Sequence, residues 1–230
     1  MELFTLYEKL LHRYGAQGWW PLRSRGGYHP HEYLYTLSQE EIFEVALGSI
    51  LTQNTTFASV EKSLDNLQNL GALTPQTIKN LPLETLKNAI RPSGYFNQKS
   101  DYILDFIAFF EGLEGRTPTR EELLACKGIG EETADSILLF GYGMSEFKVD
   151  AYTKRIFSHL GFVGEAAKYG EIKALVEEVF DKKIADTHKR VEAYQEFHAL
   201  LVAHAKRFYS KKPYGAGCFL SGELQIVVMK

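Results

Sequence analysis

Residues 123–150, LLACKGIGEETADSILLFGYGMSEFKVD, decide the reading of this chain. They read as a helix, a tight Gly-Ile-Gly turn, a second helix, a short loop and then an aspartate. Gly128 and Gly130 are expected in backbone conformations closed to other residues. The turn then presents successive N–H groups, Ile129 among them, at the start of a helix beginning near Glu131. A helix end of this kind suits an anion such as a phosphate. Asp150 follows Gly130 by about twenty residues, after a helix and a loop, and is placed to face whatever the hairpin holds.

Outward from the hairpin, the periodicity is helical almost throughout. Residues 2–14 carry a stripe of Leu3, Phe4, Leu6, Tyr7, Leu10 and Leu11. Residues 15–37 are rich in Gly, Pro and aromatics and read as an irregular loop. Ser38 with Glu41 forms a capping box that opens a helix to about Gln53. Further helices are expected over 56–70, from Thr74-Pro75, over 83–90 and over 97–113. The pair flanking the hairpin spans about 119–125 and 131–141, and three more follow near 150–160, 168–181 and 186–209. The tail CFLSGELQIVVMK contains a short β-prone piece. The fold class is therefore all-α.

The 230 residues suffice for one large domain or two small ones. At 45% hydrophobic and 24% charged, the composition is that of a soluble globular protein. No apolar run reaches membrane-spanning length, and the N-terminus lacks the pattern of a signal peptide. Two cysteines, Cys126 and Cys218, suit free thiols in a reducing cytoplasm. The net charge of −3 announces no nucleic-acid binder, so such a reading rests on local features. Two basic groups stand out: Lys206, Arg207, Lys211 and Lys212, and Lys148, Lys154 and Arg155. Solvated helix faces are the plainer explanation of both. His204 has no metal-ligand neighbours in sequence.

The hairpin with Val149-Asp150 resembles the helix-hairpin-helix-GPD superfamily of DNA glycosylases, which includes endonuclease III. LGSILTQNTTFASVEKSLDNL (47–67) is similar to the family's early helix pair, with a polar Gln at its DNA-facing turn. RPSGYFNQKSDYILDF (91–106) is similar to its Gly-aromatic-Lys segment, and FHALLVAHAKRFYSKKP (197–213) to its C-terminal helix. The resemblance covers roughly 40–215 and implies two lobes. A six-helix barrel would span 38–145, and residues 1–37 plus 146–230 would form the second lobe. Asp150 would lie at the cleft. Lys127, Gly128, Ile129, Gly130 and Thr133 would bind DNA, with a monovalent cation a candidate at the hairpin, and Gln53 would wedge into the gap left by a flipped nucleotide. The resemblance implies double-stranded DNA with a damaged base as partner and a monomer at the nucleoid.

Two departures from endonuclease III matter. Bifunctional members carry a lysine just before the Thr-Ala of the second hairpin helix, whose amine forms a Schiff base with the sugar. Glu132 stands there in this chain, which implies no lyase step. Endonuclease III also ends in four cysteines that hold an iron–sulfur cluster. Here Tyr209 and Tyr214 stand near cysteine positions and only Cys218 remains, so no cluster is expected.

Gly18-Trp19-Trp20-Pro21 and Phe57 resemble the branch of 3-methyladenine DNA glycosylases found in Helicobacter-type bacteria. The resemblance implies an aromatic base pocket of Trp19, Trp20, Pro21 and Phe57. Alkylated purines carry positive charge, and aromatic faces attract cations. Plainer roles exist: the tryptophans as core under a long loop, with one of the pair packing structurally, and Asp150 as a helix N-cap. The expectation is a monofunctional glycosylase acting on alkylated purines with Asp150 as the catalytic carboxylate. A bifunctional endonuclease III relative and a non-catalytic hairpin DNA-binding protein are the alternatives.

Overall fold

A computed structural model of the protein describes residues 1–33 and 37–221. Among them are α1 (Leu3–Tyr14), α2 (Gln39–Leu51), α3 (Phe57–Asn69), α4 (Pro75–Lys79), α5 (Leu83–Ile90) and α6 (Phe96–Gly112). The hairpin helices are α7 (Arg120–Ala125) and α8 (Glu131–Ser136); α9 (Ala151–His159), α10 (Tyr169–Lys183) and α11 (Thr187–Phe208) follow. The all-α expectation holds: the protein is 63% helical and no strand occurs among the described residues. The β-prone piece of the tail lies outside them. No described helix is long and apolar enough to cross a membrane.

Helix starts follow local chemistry. Glu41 N donates to Ser38 Oγ at 3.2 Å while Ser38 N donates to the Glu41 carboxylate at 2.8 Å, which satisfies two donors that the first turn of α2 leaves open. Thr119 and Glu122 repeat the device at α7. The stretch 131–141 departs from a single α-helix. Beyond Ser136 it widens into a π-helical turn over Ile137–Gly141, and Tyr142 N reaches back to Ile137 O at 3.3 Å.

The chain divides into two compact units. The hairpin unit comprises Trp20–Tyr28 and the stretch from α2 to Met144. Its core is apolar and drawn from α2 (Phe43, Leu47, Ile50), α3 (Val60, Leu64) and α6 (Ile103, Phe106, Ile107), all buried. Each such side chain contributes about 1.5–3 kcal/mol on leaving water. Residues 20–28, expected with the termini, pack here instead. The main-chain N–H groups of Arg23 and Ser24 donate to the buried carboxylate of Glu44, and the Arg23 guanidinium pairs with Glu61 at 3.3 Å and Asp65 at 2.7 Å. Three acids on α2 and α3 thereby fix a loop whose composition alone leaves it free.

Among the described residues, the terminal unit comprises Met1–Trp19, His29–Tyr33 and residues 145–221. Its core is aromatic. Phe180 of α10 stacks on Phe197 of α11 at 5.3 Å between ring centroids, Phe4 of α1 meets Phe180 edge-on at 5.1 Å, and Phe147 meets Tyr194 at 5.5 Å.

Candidate functional site

The hairpin is built by two side-chain interactions that its own Gly-Ile-Gly pattern does not announce. Arg120 of α7 grips Asp135 of α8 with two hydrogen bonds, Nε to Oδ1 at 2.7 Å and Nη2 to Oδ2 at 3.3 Å. Asp135 is 0% exposed, so this forked pair sets the spacing of the two helices from inside. Gln53, at the turn after α2, donates its side-chain Nε2 to Gly128 O at 2.8 Å and to Thr133 Oγ1 at 3.2 Å. Gln53 and the buried Thr133 therefore face each other. The wedge role expected for Gln53 meets a side chain already tied to the hairpin, and Thr133, expected to contact DNA, is buried with its hydroxyl oxygen accepting from Gln53.

The two glycines differ. Gly128 has φ +81°, and a Cβ there would lie 2.4 Å from the Tyr102 ring, so the position requires glycine twice over. Gly130 has φ −95° and ψ 177°, ordinary extended backbone, and nothing lies within 4 Å of where its Cβ would be. The expectation of two special glycines is corrected to one. Ile129 is buried and its N–H donates to Cys126 O at 3.1 Å, so it is spent within the turn. Lys127 is well exposed, with Asp105 3.8 Å from its Nζ. Glu132 is exposed in the first turn of α8.

The aromatic residues divide between the units. Trp20, 3% exposed, lies edge-to-face with Phe57 at 5.5 Å and near Phe140 at 5.4 Å. A Cβ on Gly48 would come within 2.8 Å of the Trp20 ring, so α2 carries a glycine where the indole lies on its backbone. Pro21 is buried and Phe57 half-buried. Trp20 and Phe57 touch directly in this arrangement, with no room for a base sandwiched between them. Trp19, 9% exposed, belongs to the terminal unit and meets the His198 ring edge-on at 5.9 Å. Neighbouring tryptophans thus serve different surroundings. Glu196 of α11 holds the approach to Trp19, accepting from Gln17 N at 2.7 Å and from Tyr33 Oη at 3.0 Å.

Asp150 caps α9. Its Oδ1 accepts from Thr153 N at 2.7 Å and from Thr153 Oγ1 at 2.9 Å. Burial works to raise its pKa, yet His198, Lys148 and the Thr153 hydrogen bonds outweigh it and hold the carboxyl below its ordinary range. His198 is itself pushed down to about 3, by burial first and then by Lys148. Lys148 is buried, which removes it from the basic patch expected with Lys154 and Arg155. Sequence reading passed over its role; the signal was its spacing of two from Asp150 along an extended segment, which puts both side chains on one side.

Around Cys218 the donors are one thiol, one imidazole and two phenols. Cys218 Sγ lies 3.2 Å from His204 Nε2, Tyr209 Oη donates toward Sγ at 3.7 Å, and Tyr14 Oη lies 2.8 Å from His204 Nδ1. His204 thus has sulfur company that its sequence position hid. A four-iron cluster needs four thiolates, and this set does not fit it. Among the described residues no group of three or more His, Cys, Asp or Glu is arranged for a metal. Packing holds this end: Gly215 lies against the His159 ring and the Arg155 guanidinium sits 5.0 Å from the Tyr214 ring centre. Lys206 is exposed at the end of α11, as are Arg207, Lys211 and Lys212.

Comparison with known proteins agrees with this architecture. Residues 47–182 match the model of the HhH-GPD superfamily base excision DNA repair proteins. The Methanocaldococcus jannaschii protein MJ1434, whose name assigns it provisionally to the DNA repair glycosylases, is 38% identical, over 94% of this chain and 92% of its own. Endonuclease III of Sulfolobus acidocaldarius is 32% identical over 78% of this chain and 79% of its own. Among solved structures, the Helicobacter pylori 3-methyladenine DNA glycosylase MagIII, bound to 1,N6-ethenoadenine, superposes with a TM-score of 0.68 at 27% identity. That match covers 90% of this chain and 98% of that one. An endonuclease III–DNA covalent intermediate shares the fold, with a TM-score of 0.71 at 19% identity over 97% of each chain. The chain belongs to the HhH-GPD superfamily and is a base excision repair DNA glycosylase.

Proposed function

We propose that this glycosylase is monofunctional and hydrolyses the N-glycosidic bond of alkylated purines such as 3-methyladenine in double-stranded DNA, acting as a monomer. The observation that carries the reading is the state of Asp150: a carboxyl held below its ordinary range by His198, by Lys148 and by two hydrogen bonds from Thr153. As the base departs, C1′ and O4′ of the sugar gain positive charge, which an ionised carboxylate stabilises. The same group orients water for addition to C1′ and accepts the proton that this water loses. An alkylated purine is already cationic and leaves as a neutral base, so no strong general acid is needed.

The hairpin grips a phosphate near the lesion, with the open space at Gly130 admitting a close approach. Such contacts position DNA without reading sequence. Flipping costs a few kcal/mol and least for a damaged base, which already favours lesions. The half-buried Phe57 offers a ring for stacking. The reaction as written uses no iron–sulfur cluster. Hairpin carbonyls are the oxygens a monovalent cation would use, although Cys126 O and Gly128 O each already accept one hydrogen bond.

Likeness to the Helicobacter enzyme supports the substrate class. Glu132 supports the monofunctional assignment, since a carboxylate cannot form a Schiff base. Relatives named endonuclease III favour a second reading, a bifunctional glycosylase/lyase. Chromatography of bases released from methylated DNA tests the first reading: free 3-methyladenine is expected, with the strand uncut. A protein–DNA adduct trapped by borohydride would establish the second reading instead.

A further inference from the structure

Lys99 of α6 is 2% exposed, and its ammonium donates to two main-chain carbonyls, Leu51 O at 2.7 Å and Ser93 O at 2.8 Å. Burial lowers its pKa to about 8. A buried ammonium is costly to keep and returns that cost only through well-made hydrogen bonds. Leu51 is the last residue of α2, where carbonyls lack helical partners and the helix dipole favours a cation. Ser93 ends the short 3₁₀ turn Arg91–Ser93 that precedes α6.

Each carbonyl opens a tight turn, and each turn bears a strained, exposed residue. Asn54 follows Leu51 with φ +54° and is exposed; Tyr95 follows Ser93 with φ +47° and is 65% exposed. Left-handed backbone at non-glycine residues persists where the surroundings over-determine it. Around the second turn, Ser63 Oγ of α3 contacts Ser93 Oγ at 2.7 Å and Arg91 lies 4.5 Å from the Phe96 ring centre, yet the Tyr95 ring points to solvent. Gln53, between Leu51 and Asn54, is the residue tied to the hairpin at Gly128 O. Through one lysine and one glutamine, the 52–55 turn, the 94–96 turn and the hairpin become a single rigid surface.

We infer that Lys99 is a positioning residue, which locks the turns carrying Asn54 and Tyr95 into one surface with the hairpin so that they engage the DNA together. The inference rests on the DNA-engaging reading of the hairpin unit. Its chemistry is internal: Lys99 touches no DNA, and its charge neutralises the ends of two turns.

The test compares wild type, Lys99→Met and Lys79→Met, the last removing an exposed cation paired with Glu111. The probe is a duplex with a tetrahydrofuran abasic analogue, and a second duplex carries 2-aminopurine beside the lesion to report flipping. Lys99→Met is expected to stay folded with a lowered Tm, to bind the abasic duplex at least tenfold more weakly per folded molecule, and to lose the flipping signal. Lys79→Met should change affinity less than threefold. Lys99→Gln, which keeps one donor, should fall between. Folded Lys99 variants with wild-type Kd and flipping, or variants that fail to fold at all, would assign the lysine to core stability and overturn the inference. Wild-type protein that binds the abasic duplex no better than undamaged DNA would count against the functional reading instead.

Discussion

The side-chain amide of Gln53 donates to the carbonyl oxygen of Gly128, 2.8 Å away and 75 residues later in the chain. The turn after α2 and the Gly-Ile-Gly bend are thereby one structural object. Gln53→Ala removes this bond and the one to Thr133, at a cost of about 1–2 kcal/mol. Urea unfolding should show that loss, and affinity for abasic duplex should fall with it. Unchanged unfolding and affinity would mean that the bond holds nothing.

Gly128 and Gly130 should respond differently to alanine. Gly128→Ala meets a left-handed φ and the Tyr102 ring, so at least about 1–2 kcal/mol of stability is lost. Gly130→Ala meets neither and should melt within a degree or two of wild type while binding duplex DNA more weakly. Equal melting temperatures for the two variants would contradict the geometry.

Breaking the Arg120–Asp135 fork should be costly. Removing one partner of a buried pair typically costs about 3–5 kcal/mol, because the other charge is left without its counterpart. Arg120→Met strands the fully buried Asp135 carboxylate and belongs toward the upper end, whereas Asp135→Leu leaves the partly exposed Arg120 and belongs toward the lower end. Differential scanning calorimetry on each variant, and on the double variant, separates the pair from packing: the double should lose less than the sum.

Asp150→Asn keeps an oxygen that accepts from Thr153 N, so the α9 cap survives. Lys148 loses the charge beside it, and Tm should drop modestly. Base release in single turnover should fall at least about 100-fold, the scale of losing one charge-stabilising group at a reacting centre. A variant that keeps full activity would remove Asp150 from the mechanism.

Acid should loosen the terminal unit through its buried histidines. His198 is held neutral down to about 3 and His204 down to about 4, burial leading in both. Unfolded, each binds a proton near pH 6.5. A histidine with a depressed folded value contributes its full stability above about pH 6.5 and loses it as pH falls toward the folded value. Between pH 6 and 4.5 the slope should approach about 1.4 kcal/mol per pH unit for each histidine. Urea midpoints across that range measure it, and His204→Gln should roughly halve the slope.

Helix positions, the capping box at Ser38 and Glu41, the short helix at Thr74-Pro75 and the hairpin were legible from sequence, since each depends on residues within a few positions of one another. The π-helical turn at 137–141 was not, because its apolar spacing is the same as that of an α-helix. Lys148 read as surface charge because burial depends on what packs over it. Trp19 and Trp20 read as a pair because adjacency in sequence hides which neighbours each ring meets.

Local backbone preference and hydrophobic periodicity settled the all-helical character of this protein and the place of the Gly-Ile-Gly bend; which of its two glycines is left-handed came from the structure. Partnership was decided by folding: Gln53 with Gly128, Lys99 with two turn ends, His204 with Tyr14 and Cys218. Those contacts join residues from 6 to 190 positions apart, and most span far more chain than any local pattern covers. They form only when helix packing brings polar groups together away from water, where each must find a partner.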